Sequence, residues 1–169
     1  MDVFDAIRTL LAVRRYADRP VPAAIVRRIV EAGRLTASSM NQQPWHFVVV
    51  QERDTLRKLA AEARTGPYLA QAAFAIVVAV ERGSTFAVSD ASRAIQSMTL
   101  AAWGEGVGSN WIGFGGMRAP SQIVALPREL DALAIVAFGY PSEQVGRGRK
   151  KRKPLGEVAS RERFGQPFE

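Results

Sequence analysis

Ser38-Ser39-Met40-Asn41-Gln42-Gln43-Pro44-Trp45 stands between an apolar helical pattern that ends near Leu35 and the run Phe47-Val48-Val49-Val50. Six of these eight residues are polar or proline. A buried connection cannot leave so many hydrogen-bonding groups unpaired, so Ser38, Ser39, Asn41, Gln42 and Gln43 face water, one another or a polar ligand. Hydroxyls and amides both donate and accept. That suits the edge of a neutral heterocycle, with its carbonyls and ring nitrogens, better than a metal or a bare phosphate. By composition alone the favoured alternative is a loop whose Ser and Asn bond only to their own backbone.

Upstream, Ile25, Val26, Ile29, Val30 and Leu35 mark one amphipathic helix. Asp2 can cap an earlier one, in which Val3, Phe4, Ile7, Leu10 and Leu11 form an apolar stripe assigned to the core. Between them the loop over 12–22 carries Arg14, Arg15 and Arg19 and ends in two prolines. Downstream, 45–51 reads as a β-branched strand, and Asp54 can cap a helix over 55–64 that Gly66-Pro67 breaks. After a short helix at 68–72, Phe74-Ala75-Ile76-Val77-Val78-Ala79-Val80 has the unbroken apolarity of a central strand covered on both faces.

Ser89 or Asp90 opens the longest helix, to about Glu105, with Ala91, Ala94, Ile95, Met98, Ala101 and Ala102 on its small-residue face. Gly104, Gly106 and Gly108 close a helix and precede a strand, the reverse of a dinucleotide fingerprint, so a Rossmann reading is rejected. A short helix at Ile123, Val124 and Leu126 ends at Pro127, and 133–141 reads as the last core strand. From Ser142 onward little can form a core.

At 169 residues and 47% hydrophobic, the chain suits one core and a single domain over 1–169, with 142–169 an extended C-terminal tail. No apolar run approaches a membrane span and the start is no signal peptide, so a cytoplasmic protein without a membrane partner is expected. With no Cys and one His, disulfides, zinc fingers, iron–sulfur clusters and thiol nucleophiles are excluded, and no metal site is expected. A chain so poor in acid–base groups either is no enzyme or leaves the hard chemistry to a cofactor. The net charge of +7 is local: Gly-Arg-Gly-Arg-Lys-Lys-Arg-Lys at 146–153 carries six of the positive charges and leaves the rest near +1. Such a run is a solvated or polyanion-binding segment, or a small-phosphate site. No aromatic interleaves it, which argues against nucleic acid as a partner.

Ser-Ser-x-Asn-x-Gln-Pro-Trp before a β-run resembles the signature of the nitroreductase family of FMN-dependent oxidoreductases, and the remaining segments resemble that family in order and spacing over nearly the whole chain. The resemblance implies an α+β, three-layer nitroreductase-like fold: a central mixed, mainly antiparallel sheet flanked by helices, with the tail exchanged in a homodimer whose core is the long helix carrying Gln96. It implies FMN as cofactor, NAD(P)H as reductant and a small-molecule acceptor such as a nitroaromatic or quinone, in a ping-pong reaction with no catalytic side chain. Ser38, Ser39, Asn41 and Gln43 then belong to the flavin rim, and Ile112 and Gly113 of the Trp-Ile-Gly segment to main chain beside the ring.

Where the family has an Arg-Arg-Ser-x-Arg motif this sequence has Leu10, Leu11 and Ala12 and keeps only the last cation, as Arg14. Arg14 is the expected group at the ring's N1 and C2-carbonyl edge. Lys150-Lys151-Arg152-Lys153-Pro154-Leu155 resembles the family's phosphate-binding Lys-x-Arg-x-Pro-Leu segment, so the resemblance implies Lys150 and Arg152, on one side of an extended chain, at the phosphate, with Arg15 expected to reach it too. The other readings are a basic-tailed nucleic-acid or polyanion binding module, and a family branch that performs flavin-dependent dehydrogenation or flavin breakdown.

Overall fold

The computed structural model describes residues 1–63, 65–113, 117–145 and 150–168. In chain order the elements are α1 (Val3–Thr9), α2 (Ala23–Arg34), β1 (Trp45–Val50), α3 (Arg53–Glu62), β2 (Phe74–Glu81), α4 (Ala87–Gly104), β3 (Gly108–Ile112), α5 (Arg118–Ile123), β4 (Leu130–Gly139) and α6 (Leu155–Val158), with single 3-10 turns at Ser39–Asn41 and Pro67–Gln71. The strands pair antiparallel in the order β1-β2-β4-β3. One parallel bridge, Ala12 with Ser109, lies along the free side of β3 and makes the sheet mixed but mainly antiparallel.

Alternation along β2 sorts the core into two. Phe74, Ile76, Val78 and Val80, with Val136 and Phe138 of β4, pack under Val26 and Ile29 of α2 and Ala91, Ile95 and Met98 of α4. Ala75 and Val77, with Ile135 and Ala137, pack under Leu56, Leu59 and Ala60 of α3 and Leu69 of the second 3-10 turn. The result is helix, sheet, helix: an α+β molecule of three layers, as the doubly apolar strand predicts. Phe74 and Phe138 face each other across the β2–β4 pair and stack with ring centroids 4.8 Å apart.

Two expectations are corrected. The stripe on α1 does not enter the core: Val3, Phe4 and Ile7 are 73%, 73% and 47% exposed. The helix docks through its opposite side instead, burying Ala6 and Thr9, with Trp103 Nε1 of α4 donating to Thr9 Oγ1 at 2.9 Å. Asp2 does cap it, Oδ1 accepting from the Asp5 N–H at 2.8 Å. Second, α4 begins at Ala87 and α3 at Arg53, so Asp90 and Asp54 lie within the first turns of their helices rather than ahead of them. The tail behaves as composition requires, since α6 buries nothing and Leu155, Val158, Phe164 and Phe168 are exposed. Among the described residues no helix is long and apolar enough to cross a membrane.

Candidate functional site

The polar stretch before β1 folds into a turn closed by its own groups. Ser38 Oγ accepts from the Gln43 N–H at 2.9 Å, Ser38 O from Asn41 N–H at 3.1 Å, and Ser39 O from Gln42 N–H at 3.0 Å. Gln43 Nε2 donates to Asn41 O and Oδ1 at 3.1 and 3.2 Å. Met40, Asn41 and Gln43 have φ of 50°, 55° and 52°, left-handed values at residues that bear a Cβ. Each such residue costs of order 1–3 kcal/mol and persists only where the surroundings impose it, and strain of this kind collects at ligand clamps. Asn41, Gln42 and Gln43 are exposed, while Pro44 behind them is buried.

One described hydrogen bond ties this turn to the body of the molecule. The Ser39 N–H donates to Asp90 Oδ2 at 2.9 Å. Asp90 is fully buried, and its other oxygen pairs with Arg93 and receives Ser89 Oγ at 3.5 Å. Burial works to raise its pKa, but the Ser39 N–H, Arg93 and Ser89 outweigh it, and the carboxyl is held below its usual range. Just upstream, Thr36 Oγ1 donates to Ser97 Oγ at 2.8 Å, a second link to α4.

The cationic loop lies elsewhere. Val13 N–H donates to Ser109 O at 2.9 Å, and Tyr16, buried against β4, donates its hydroxyl to Val13 O at 2.8 Å. Burial pushes the Tyr16 phenol far above its usual range, with Tyr68 adding to the shift and Arg14 opposing it. Glycines make room for this strand of chain: a Cβ on Gly108 would meet Val13 at 2.5 Å, and one on Gly139 would meet Tyr16 at 2.8 Å. Held between these anchors, Arg14 is exposed, and Arg15 pairs with Glu143 at 3.0 Å. A shallow recess of about 210 Å³ runs past Arg14 and Arg15 to residues 141–145. A larger one of about 510 Å³ continues from 141–145 to Thr9 and Trp103.

Lys150 donates to the carbonyl of Ile7 on α1, and its pKa is lowered first by burial and then by Arg152, which places the two cations within electrostatic reach of each other. Arg152 itself is exposed and bonds the Lys151 carbonyl. At the end of β3, Ile112 is buried and Gly113 turns left-handed at φ 71°. A Cβ there would meet Met117 Sδ at 2.7 Å, so this glycine answers to its backbone and to Met117 rather than to an open cradle. The family-like residues Phe114, Gly115 and Gly116, and the basic run over 146–149, lie outside the described residues.

The polar and cationic site residues thus form two groups. Ser38, Ser39, Asn41 and Gln43 are fixed at Asp90, near the start of α4; the α1–Arg14 segment is fixed at Trp103, near its end. Thirteen residues of helix separate those anchors, about 20 Å at 1.5 Å per residue.

The pattern that defines the nitroreductase family matches this chain over residues 8–67 and 58–140. The chain belongs to the nitroreductase family. It is 32% identical over 154 residues to a "Putative NADH dehydrogenase/NAD(P)H nitroreductase" of Methanothermobacter thermautotrophicus, covering 86% of this chain and 81% of that one. It superposes on a crystal structure of the same designation from Parabacteroides distasonis with TM-score 0.88 and 26% identity, covering 96% of this chain and 98% of the other. An FMN-dependent nitroreductase from Clostridium difficile shares the fold, with TM-score 0.79 and 24% identity over 91% of this chain and 93% of that one. Membership of the nitroreductase family makes the protein an oxidoreductase.

Two features of this nitroreductase-family chain leave no mark in its sequence. Asp90 reads as a helix-opening residue, and nothing local signals a bond to an amide 51 positions away. Asn110 Nδ2 donates to the Tyr68 hydroxyl beside Ile112, joining β3 to the second 3-10 turn; neither residue is distinctive in its own segment.

Proposed function

We propose that this protein binds FMN and transfers a hydride from NAD(P)H to a nitroaromatic, quinone or similar acceptor, the two substrates using one slot in turn in a ping-pong cycle. The observation that carries the reading is the 38–43 turn, a strained, self-closed loop that turns amide groups outward instead of burying apolar ones. Its donors and acceptors fit the carbonyl and ring-nitrogen rim of a flavin, and Ser38, Ser39, Asn41 and Gln43 would hold that rim. The main chain at Ile112 and Gly113 would border the ring. Arg14, exposed and without an ion-pair partner among the described residues, would stabilise negative charge at the N1 and C2 edge. Arg15, Lys150 and Arg152 would take the phosphate in place of the family's leading polar residues, which are Leu10, Leu11 and Ala12 here. Bound there, FMN would supply the two-electron chemistry that a chain with one His and no Cys lacks.

Two copies are needed to complete such a site. A two-fold axis crossing the middle of α4 would set the 38–43 turn of one chain beside the Arg14 segment of its partner, joining groups whose anchors lie about 20 Å apart along α4. The uncovered apolar residues Val3, Phe4 and Ile7 of α1, and those of the tail, support a homodimer with the tail exchanged. The test is the visible spectrum. Protein reconstituted with FMN and freed of excess should be yellow, and stopped-flow mixing with NADH or NADPH should bleach it; a preparation that stays colourless after reconstitution refutes the reading. Turnover of nitroaromatics, quinones and reduced flavin then separates nitroreduction from dehydrogenation or flavin breakdown.

A further inference from the structure

We propose that Asp90 is a positioning residue: through its bond to the Ser39 amide it holds the 38–43 turn in the left-handed form that presents Asn41 and Gln43 outward. What that form serves rests on the flavin reading above; the anchoring itself does not.

The turn is closed by its own bonds. Those from Ser38, Ser39, Asn41 and Gln43 to one another close a loop but leave it without a fixed orientation. Three positive-φ residues in four positions would relax unless a rigid body held one end. α4 is that body, an 18-residue helix whose Ala91, Ala94, Ile95 and Met98 are buried in the core. Asp90 stands on it fully buried, where a carboxylate persists only if each oxygen is satisfied. Arg93 and Ser89 serve one oxygen, and the Ser39 N–H takes the other. Arg93 and Ser97 follow Asp90 by one and two turns, so the ion pair and the Thr36–Ser97 bond lie along the same side of α4. The carboxylate therefore does more than favour a helix start: it fixes the azimuth of the turn relative to the sheet.

The test uses the full chain and two readouts, hydrogen exchange over 39–43 and FMN titration. Asp90→Ala should raise exchange across 39–43 by about ten- to hundredfold, as expected for loss of a charge-assisted bond, while β2 and β4 amides keep their protection. FMN affinity should fall by a comparable factor and the spectrum of the bound flavin should shift. Asp90→Asn, which keeps the shape and one acceptor oxygen, should restore part of both, and it carries the test if the alanine variant does not fold. Leu56→Ala, in the opposite layer, should lower the melting temperature without changing either readout. Wild-type protection over 39–43 in Asp90→Ala, or in Asp90→Asn where the alanine variant does not fold, overturns the proposal, as does an equal rise in Leu56→Ala. Failure of the wild-type protein to take up FMN would sink the flavin reading alone, because exchange in the apo chain still decides the anchor.

Discussion

Asp90 shows how one side chain can carry a cost that only a distant partner explains. Its carboxyl is buried, which by itself raises a pKa, yet the Ser39 N–H, Arg93 and Ser89 hold it below the ordinary range. A folded pKa lower than the unfolded one means that its stabilisation is complete above about pH 3.9 and disappears as pH falls through the lower folded value. Asp90→Asn should therefore flatten the acid side of a plot of melting temperature against pH, and an unchanged acid slope would contradict the assignment. Gly113 allows a second prediction. Gly113→Ala forces an L side chain to φ 71° and against Met117 Sδ, so a loss of about 1–2 kcal/mol or more is expected in denaturant titrations. That a polar turn lay at 38–43 was plain from residue types, because unpaired amides cannot be buried. Its left-handed geometry was not, since Met40 and Gln43 are not residues that announce positive φ.

At the scale of elements, apolar patterning located α1, α2, α4, β2 and β4: a stripe at helical spacing marks each helix, and an unbroken apolar run marks each of the two strands buried on both faces. Periodicity tells which face is apolar; it does not tell what covers it. For α1 that gap mattered: Asp2 capped the helix as expected, but Val3, Phe4 and Ile7 turned away from the chain's own core. Phe4→Ser should leave the monomer's far-UV circular dichroism intact and weaken self-association by about 1.5–3 kcal/mol, the value of burying one such side chain. Sedimentation equilibrium measures it, and an unchanged dimer constant would show that the α1 face is not an interface. Phe74→Ala is the contrasting case. It removes one ring of the Phe74–Phe138 stack at the centre of the sheet and should cost about 3–5 kcal/mol of fold stability.

For the whole molecule, the three layers were legible in a single strand, because a β2 apolar from Phe74 to Val80 must be covered on both faces. The strand order β1-β2-β4-β3 was not, as pairings so distant in sequence leave no local mark. The tail was legible as a segment without a core. A chain ending at Val145 should retain cooperative unfolding, since α6 buries no residue, and should lose FMN affinity if Lys150 and Arg152 hold the phosphate. Unaltered FMN binding by that shortened chain would remove the tail from the site. The separation of the turn and the Arg14 segment along α4 has a genetic consequence. If each site draws one half from either subunit, inactivating lesions fall into two complementation groups. Mixing an Asn41-defective chain with an Arg14-defective one would rebuild one intact site in each heterodimer, so two dead parents would give a half-active hybrid, whereas two chains damaged at the same end would give none.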